Sequence, residues 1–179
     1  IDNNSGRGLW ANGDKHFQNT SISNNTGDGV SGSGSLDINN SLIDGNGGNG
    51  ITGATGSVIA ESTSISNNSG NGVSHSGTVS LSSVNVDNNG GRGLVNFSDS
   101  FIADSVSISF NQNGGMSGSD DVVITNSTLN ENITNENGGA IKVTGNVLVT
   151  NSFIESNNGN NGGGVNVSGT LTAENSTIS

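Results

Sequence analysis

The chain of 179 residues has no cysteine, no proline and no tyrosine. Without cysteine no disulfide forms, so the compartment leaves no redox mark on the sequence. Without tyrosine a common catalytic acid or base is missing. Only Arg7, Lys15, Arg92 and Lys142 are cationic, and the formal net charge is −11. Nucleic acid is excluded as a partner on that balance, because binding it needs clustered Lys and Arg. An anionic membrane surface is excluded for the same reason. No apolar run is long enough to span a bilayer, so no transmembrane segment is expected. Hydrophobic residues make up 28% of the chain and aromatic residues 3%. Such a composition ordinarily signals disorder, for want of a core.

A repeat removes that expectation. An asparagine follows an aliphatic by three places in Ile1/Asn4, Ile22/Asn25, Ile43/Asn46, Ile65/Asn68, Val86/Asn89, Ile108/Asn111, Leu129/Asn132 and Ile154/Asn157, and Ile178 begins a ninth unit. The aliphatics stand 21, 21, 22, 21, 22, 21, 25 and 24 residues apart. A period of this size means one supersecondary unit stacked on itself, whose narrow core needs few apolar residues per turn. With each aliphatic as position zero, positions −7 and −5 are apolar in seven consecutive turns, from Leu36/Ile38 to Leu171/Ala173. That alternation marks a strand with one buried face. Position −2, small or β-branched, completes a second strand with position zero. A third strand begins at Leu9, Val30, Ile51, Val73, Leu94, Met116, Ile141 and Val165, and glycine precedes each except Ile141.

Three short strands in about 22 residues predict an all-β fold, a right-handed parallel β-helix of about eight turns. Residues 1–179 form a single solenoid domain. Both ends lie inside the pattern, so the expectation is a segment of a longer chain without its caps. The asparagine column reads as an internal ladder, each amide bonding its neighbours above and below and each Asn taking a left-handed bend. A second polar column at −3 runs from Asn19 and Asn40 to Asn175. It reads as a structural ladder too, with a polar binding groove as the alternative. The Asn-x-Ser/Thr sequons on it, such as Asn19-Thr20-Ser21, read as by-products.

Turn length and asparagine ladder together make the whole chain resemble the pectate-lyase-like superfamily of right-handed β-helices. Gly138-Gly139-Ala140-Ile141 and Phe110-Asn111-Gln112-Asn113 are also similar to the repeat elements of polymorphic outer-membrane proteins. The resemblance implies the fold. It leaves open polysaccharide lyases, glycoside hydrolases, phage tailspikes, and the passenger regions of adhesins and autotransporters. Lyases of this superfamily use Arg or Lys as base, often with calcium. Here Arg7 and Arg92 share one column four turns apart, and neither has a neighbouring cation in the sequence pattern. The hydrolases need paired carboxylates, and Asp120-Asp121 is the one adjacent acidic pair. His75 could act as a general base, but reads better as a polar corner residue.

Two features depart from the repeat. At position −9, Asp99 and Asp120 replace the usual glycine in neighbouring turns, and Asp121 follows. Stacked like charges are unfavourable unless bridged, so these three are candidate ligands for Ca²⁺; otherwise the carboxylates splay into solvent. At position −6, Ile102, Val123 and Leu148 in successive turns, with Ile59 earlier, form an outward aliphatic ridge that marks a contact surface. At +1, Asp2, Asp44 and Asp87 alternate with serine and read as a solvated face. The sequence thus points to a non-enzymatic, adhesive or fibre-forming solenoid, extracellular or at the cell surface. It would associate with itself, end to end or laterally, or with other surface proteins; glycans are further candidate partners. The alternative is the catalytically silent part of a carbohydrate-active β-helix.

Overall fold

The computed structural model describes residues 1–53 and 55–179. Three eight-stranded parallel sheets wind into a right-handed solenoid of about eight turns. Sheet I runs from Leu9–Trp10 through Val30–Gly32 to Val165–Val167. Sheet II runs from Lys15–Gln18 to Leu171–Glu174, and sheet III from Ser21–Ser23 to Thr177–Ile178. Each strand pairs with its equivalents in the adjoining turns. The expected columns are in register, as in Val79↔Phe101, Phe101↔Val122 and Val122↔Val147.

The columns meet in one core along the axis. Ile22, Ile43, Ile65, Val86, Ile108, Leu129 and Ile154 are wholly buried, facing Val30 to Ile141 of sheet I and Leu36/Ile38 to Val147/Val149 of sheet II. Ile1, Leu171, Ala173 and Ile178 lie in the outermost turns, covered from one side, and are exposed. Stacking buries each aliphatic between its copies, which is how so few apolar residues suffice.

The asparagine ladder is continuous from Asn4 to Asn157. Each Nδ2 donates to the Oδ1 of the next turn's Asn, at 2.7–3.0 Å. At Asn89 the pattern is complete. Its Nδ2 donates to Asn111 Oδ1 (3.0 Å) and Ile65 O (3.2 Å), and its Oδ1 accepts from Asn68 Nδ2 (3.0 Å) and N (3.1 Å). Both donors and both acceptor sites of the amide are used. Asn46 repeats it: Nδ2 donates to Asn68 Oδ1 (2.9 Å) and Ile22 O (3.2 Å), and Oδ1 accepts from Asn25 Nδ2 (2.9 Å) and N (3.2 Å).

One expectation about this column is corrected. None of Asn4, Asn25, Asn46, Asn68, Asn89, Asn111, Asn132 and Asn157 takes the left-handed bend itself. The bend belongs to the residue before each: Asn3, Asn24, Gly45, Asn67, Asn88, Phe110, Glu131 and Ser156. Before Asn46 that residue is a glycine (φ 64°), so at this turn the bend needs no asparagine at all. The bend turns the chain so that the next side chain points inward. The ladder position selects asparagine for its amide, not for its torsions.

Position −3 is left-handed in every turn as well, from Asn19 (φ 51°) to Asn175 (φ 49°). Its residues face outward at the corner between sheets II and III. Just after it, a hydroxyl ladder runs inside. Ser41 Oγ accepts Thr20 N (3.1 Å) and donates to Asn39 O (2.7 Å), and Thr63, Ser127 and Ser152 repeat the arrangement. Val84 and Val106 interrupt it.

The glycine before each sheet I strand is explained by the amide ladder. A Cβ on Gly72 would lie 2.6 Å from Val86 Cγ1, 2.7 Å from Gly93 O and 3.0 Å from Asn89 Nδ2. Nothing larger fits beside the amides.

Two inward places went unread in the sequence. Strict alternation from Leu94 would turn Asn96 inward, but a bulge between Val95 and Phe97 turns Asn96 out (φ 71°) and sets Phe97 opposite Gly118. Phe97 is buried beside Phe101, with ring centroids 5.4 Å apart. Lys15 occupies the core column of sheet II in the first turn and is buried. Its ammonium donates to Gly13 O (2.9 Å) and Ser33 O (2.6 Å), a cation held by carbonyls alone.

Replacing Asn89 by leucine removes a buried amide and leaves Asn68, Asn111 and Ile65 groups without partners. We expect a loss of about 1–3 kcal/mol per group left unpaired, seen as a lower denaturation midpoint. An unchanged midpoint would mean that the ladder is ornamental.

Candidate functional site

Most polar groups that could do chemistry are bonded from turn to turn. The amides of Asn25, Asn46, Asn68, Asn89, Asn111 and Asn132 are buried in the ladder and reach no solvent, so they form no site. Arg7, Asp28, Asn49, Asn71 and Arg92 share position +6 and form a second ladder, before sheet I. Asn49 N donates to Asp28 Oδ1, Asn71 N to Asn49 Oδ1 and Arg92 N to Asn71 Oδ1, each at 2.8 Å. Arg7 Nε lies 3.6 Å from Asp28 Oδ2.

Arg92 does have a neighbouring cation, contrary to expectation. Its guanidinium crosses Gly114 and donates from Nη2 to Glu136 Oε2 (2.9 Å), which also accepts from Lys142 Nζ (2.7 Å). Arg92 is buried, and its Nη1 has no partner among the described residues. Lys142 and, after it, Arg92 hold the Glu136 carboxyl below its ordinary pKa. The site is made by the longer corner after Asn132. That corner stacks on the next one, through the Ile133↔Asn158 bridge and Asn161 Nδ2 to Asn137 Oδ1 (2.9 Å). The 25-residue interval was the signal in the sequence.

His75 is buried at the end of the strand Val73–His75 and is not the polar corner residue expected. Its Nε2 lies 3.1 Å from Gly56 O, and its ring fills the room left by Gly53 in the turn before. A base must reach its substrate, and this imidazole reaches only the core.

Asp99, Asp120 and Asp121 are not gathered into a metal site; no group of three acidic or His side chains suited to a metal occurs among the described residues. Asp121 Oδ1 instead accepts from Asn146 N (2.7 Å) and Nδ2 (3.1 Å), and Asp120 Oδ1 accepts Asp121 N (2.7 Å). The ridge is in place. Ile102↔Val123 and Val123↔Leu148 are paired neighbours on the outer face of sheet II, with Ile102 47% and Leu148 36% exposed. Ile59 is 49% exposed, and Ser80 separates it from the others.

The outer face of sheet III is hollowed. Two open hollows of about 630 and 520 Å³ meet at Asn85 and run along the axis. The −3 column forms one wall, with Asn19, Asn40, Ser62 and Ser83 in the first hollow and Ser105 and Asn126 in the second. Its floor is mostly hydroxyl and amide, from Ser21 and Ser64 to Thr128 and Asn130, with Leu42 in the first hollow and Phe110 in the second. The +1 acids are not simply solvated. Asp2 and Asp44 each accept from the serine hydroxyl and asparagine amide of the next turn. Asp87 accepts Asn88 Nδ2 on Oδ2 (3.2 Å) and no bond from the next turn's serine or from residue 110, and its Oδ1 is buried without a hydrogen-bond partner among the described residues.

The solenoid resembles a known one. The crystal structure of pectate lyase Pel9A matches with a TM-score of 0.64 at 15% identity, over 97% of this chain and 50% of that one. The chain therefore spans about half the length of that enzyme, and the likeness is one of fold. No family model matches the chain, and no curated protein sequence matches it.

Burial raises the Asp87 carboxyl above its ordinary pKa; bonds from Asn88 and the backbone oppose the shift, and the Asp44 charge adds to it. A carboxyl raised in the fold opposes folding once ionised, and that penalty vanishes below the unfolded pKa. Asp87→Asn should therefore raise the melting temperature near pH ~7, with the gain shrinking as pH falls towards ~3.5. A gain independent of pH, or a loss at neutral pH, would contradict the assignment.

Proposed function

We propose that the chain is a non-enzymatic, adhesive stretch of an extracellular or cell-surface protein. The solenoid is a rigid spacer that carries contact surfaces. The observation behind this reading is the ridge of Ile102, Val123 and Leu148, aliphatic side chains contiguous over three successive turns on the outer face of sheet II. Burying three such side chains against a second copy contributes several kcal/mol at about 25 cal/mol per Å². Net charge −11 opposes that contact, and salt strengthens it by screening.

The second reading is the silent part of a carbohydrate-active β-helix. The fold likeness to Pel9A and the Arg92–Glu136–Lys142 cluster favour it. Against it, Glu136 already occupies both cations, and Arg92 is buried beneath it.

Two measurements decide. Incubation with polygalacturonate and with neutral polysaccharides should yield no unsaturated product and no new reducing ends. Cleavage that disappears in Arg92→Ala would establish the second reading. Light scattering at raised salt should show association that Val123→Lys abolishes. A parent chain monomeric at high concentration and high salt would leave the ridge without a role.

A further inference from the structure

Sheet III repeats a two-turn unit, and its third copy breaks the rule. Ser21-Ile22-Ser23-Asn24-Asn25 and Ser64-Ile65-Ser66-Asn67-Asn68 are followed, at the same interval, by Ser107-Ile108-Ser109-Phe110-Asn111. In the first two copies the second serine and the first asparagine donate to the acid one turn back. Ser23 Oγ (3.2 Å) and Asn24 Nδ2 (3.1 Å) reach Asp2 Oδ1; Ser66 Oγ (3.1 Å) and Asn67 Nδ2 (2.7 Å) reach Asp44 Oδ1. In the third copy Phe110 offers no donor, and Ser109 Oγ, which lies against Ser107 Oγ (3.1 Å) as the equivalent serines do in the first two copies (3.3 and 3.2 Å), makes no bond to Asp87 Oδ1. Asp87 Oδ1 is left buried and unpaired among the described residues.

Phe110 is unfavourable in two further ways. It keeps the left-handed torsion of its counterparts (φ 57°, against 54° at Asn24 and 55° at Asn67), which a bulky residue adopts reluctantly. Its side chain is 41% exposed and stacks on no other ring among the described residues. A local rule broken with no gain in stability is the mark of a surface put to use.

That surface is the second hollow. Phe110 forms its lip, with Asn85, Ser107, Asn126, Thr128 and Asn130 around it. Phe153, 51% exposed, continues the Thr128 column one turn on. No Lys or Arg lines the hollow. The neighbours along the axis are acidic: Glu155 pairs with Asn130, and Glu131 follows that residue.

We propose that this face binds an extended, uncharged oligosaccharide, with the C–H face of one sugar ring packed on Phe110. The proposal rests on the adhesive reading above, since it needs a binder without chemistry. Amides and hydroxyls both donate and accept, as sugar hydroxyls do, so such a lining suits them. A uronate or sulfated chain would find acids and no cation. A strand-like peptide needs an open sheet edge, and the strands under this hollow, Asn85–Asp87, Ser107–Ser109 and Thr128–Asn130, are each paired on both sides.

Saturation-transfer NMR on the parent chain would use cellohexaose, mannohexaose and xylohexaose, with hexagalacturonate as the charged control. At least one neutral sugar should receive saturation, and Phe110→Asn should reduce it at least about fivefold, as expected for an aromatic anchor. The same variant should melt at an equal or higher temperature, because the new amide reaches the Asp87 carboxylate. No contact with any neutral sugar would overturn the proposal, as would an equal signal in Phe110→Asn or a stronger one with hexagalacturonate. Stronger contact with a Ser/Thr-rich peptide of similar length would overturn it too. Cleavage of the bound sugar would refute the non-enzymatic reading and leave the site standing. Absence of contact would do the reverse.

Discussion

The side-chain amide of one asparagine per turn carries the architecture. It bonds the amide of the next turn, the backbone N–H of the turn before and the carbonyl of an aliphatic in the turn before. A buried amide must place all four of its hydrogen bonds, and here the amides of the adjoining turns take two and the backbone of the turn before takes the other two. The ladder therefore fixes the register of every turn on its neighbours. It also dictates what surrounds it. The preceding residue must be left-handed to aim the Asn inward, and the residue before sheet I must be small to leave room for it. Extra residues enter after Asn132 and Asn157, where the chain has passed the ladder and the next strand has not begun.

The same economy governs the acids. Asp2, Asp44 and Asp121 each accept two hydrogen bonds from the adjoining turn, and Asp28 takes Asn49 and Arg7. A carboxylate used in this way is a structural acceptor. Strong negative charge can thus coexist with an ordered fold, and it keeps loose aggregation in check. Within this frame the departures stand out. Lys15 sits on carbonyls, His75 and Phe97 fill the room left by glycines, and Arg92 reaches across a turn to Glu136. Each of these irregularities is accommodated by glycine or backbone carbonyls in an adjacent turn. At Asp87 and Phe110 no such accommodation is made, and that difference separates a packing solution from a surface under another demand.

The number of turns, the inward columns and the amide ladder were legible in the sequence alone. They follow from a period and a burial pattern, and identical neighbours stack in only one register. The aliphatic ridge was legible for the same reason, because outward positions alternate with inward ones. What the sequence could not decide were matters of one residue or one turn. The left-handed bend sits at Gly45 and not at Asn46, one place from where the asparagine column suggested it. Only the folded chain shows that Phe97, and not Asn96, faces the core, because a single bulged residue flips the alternation. Only stacking brings Arg92 to Glu136, 44 residues away, since that contact depends on the path of an irregular corner. The fate of each polar atom belongs to tertiary structure as well. Asp44 and Asp87 hold the same place in the repeat, and they differ in what the following turn happens to offer them.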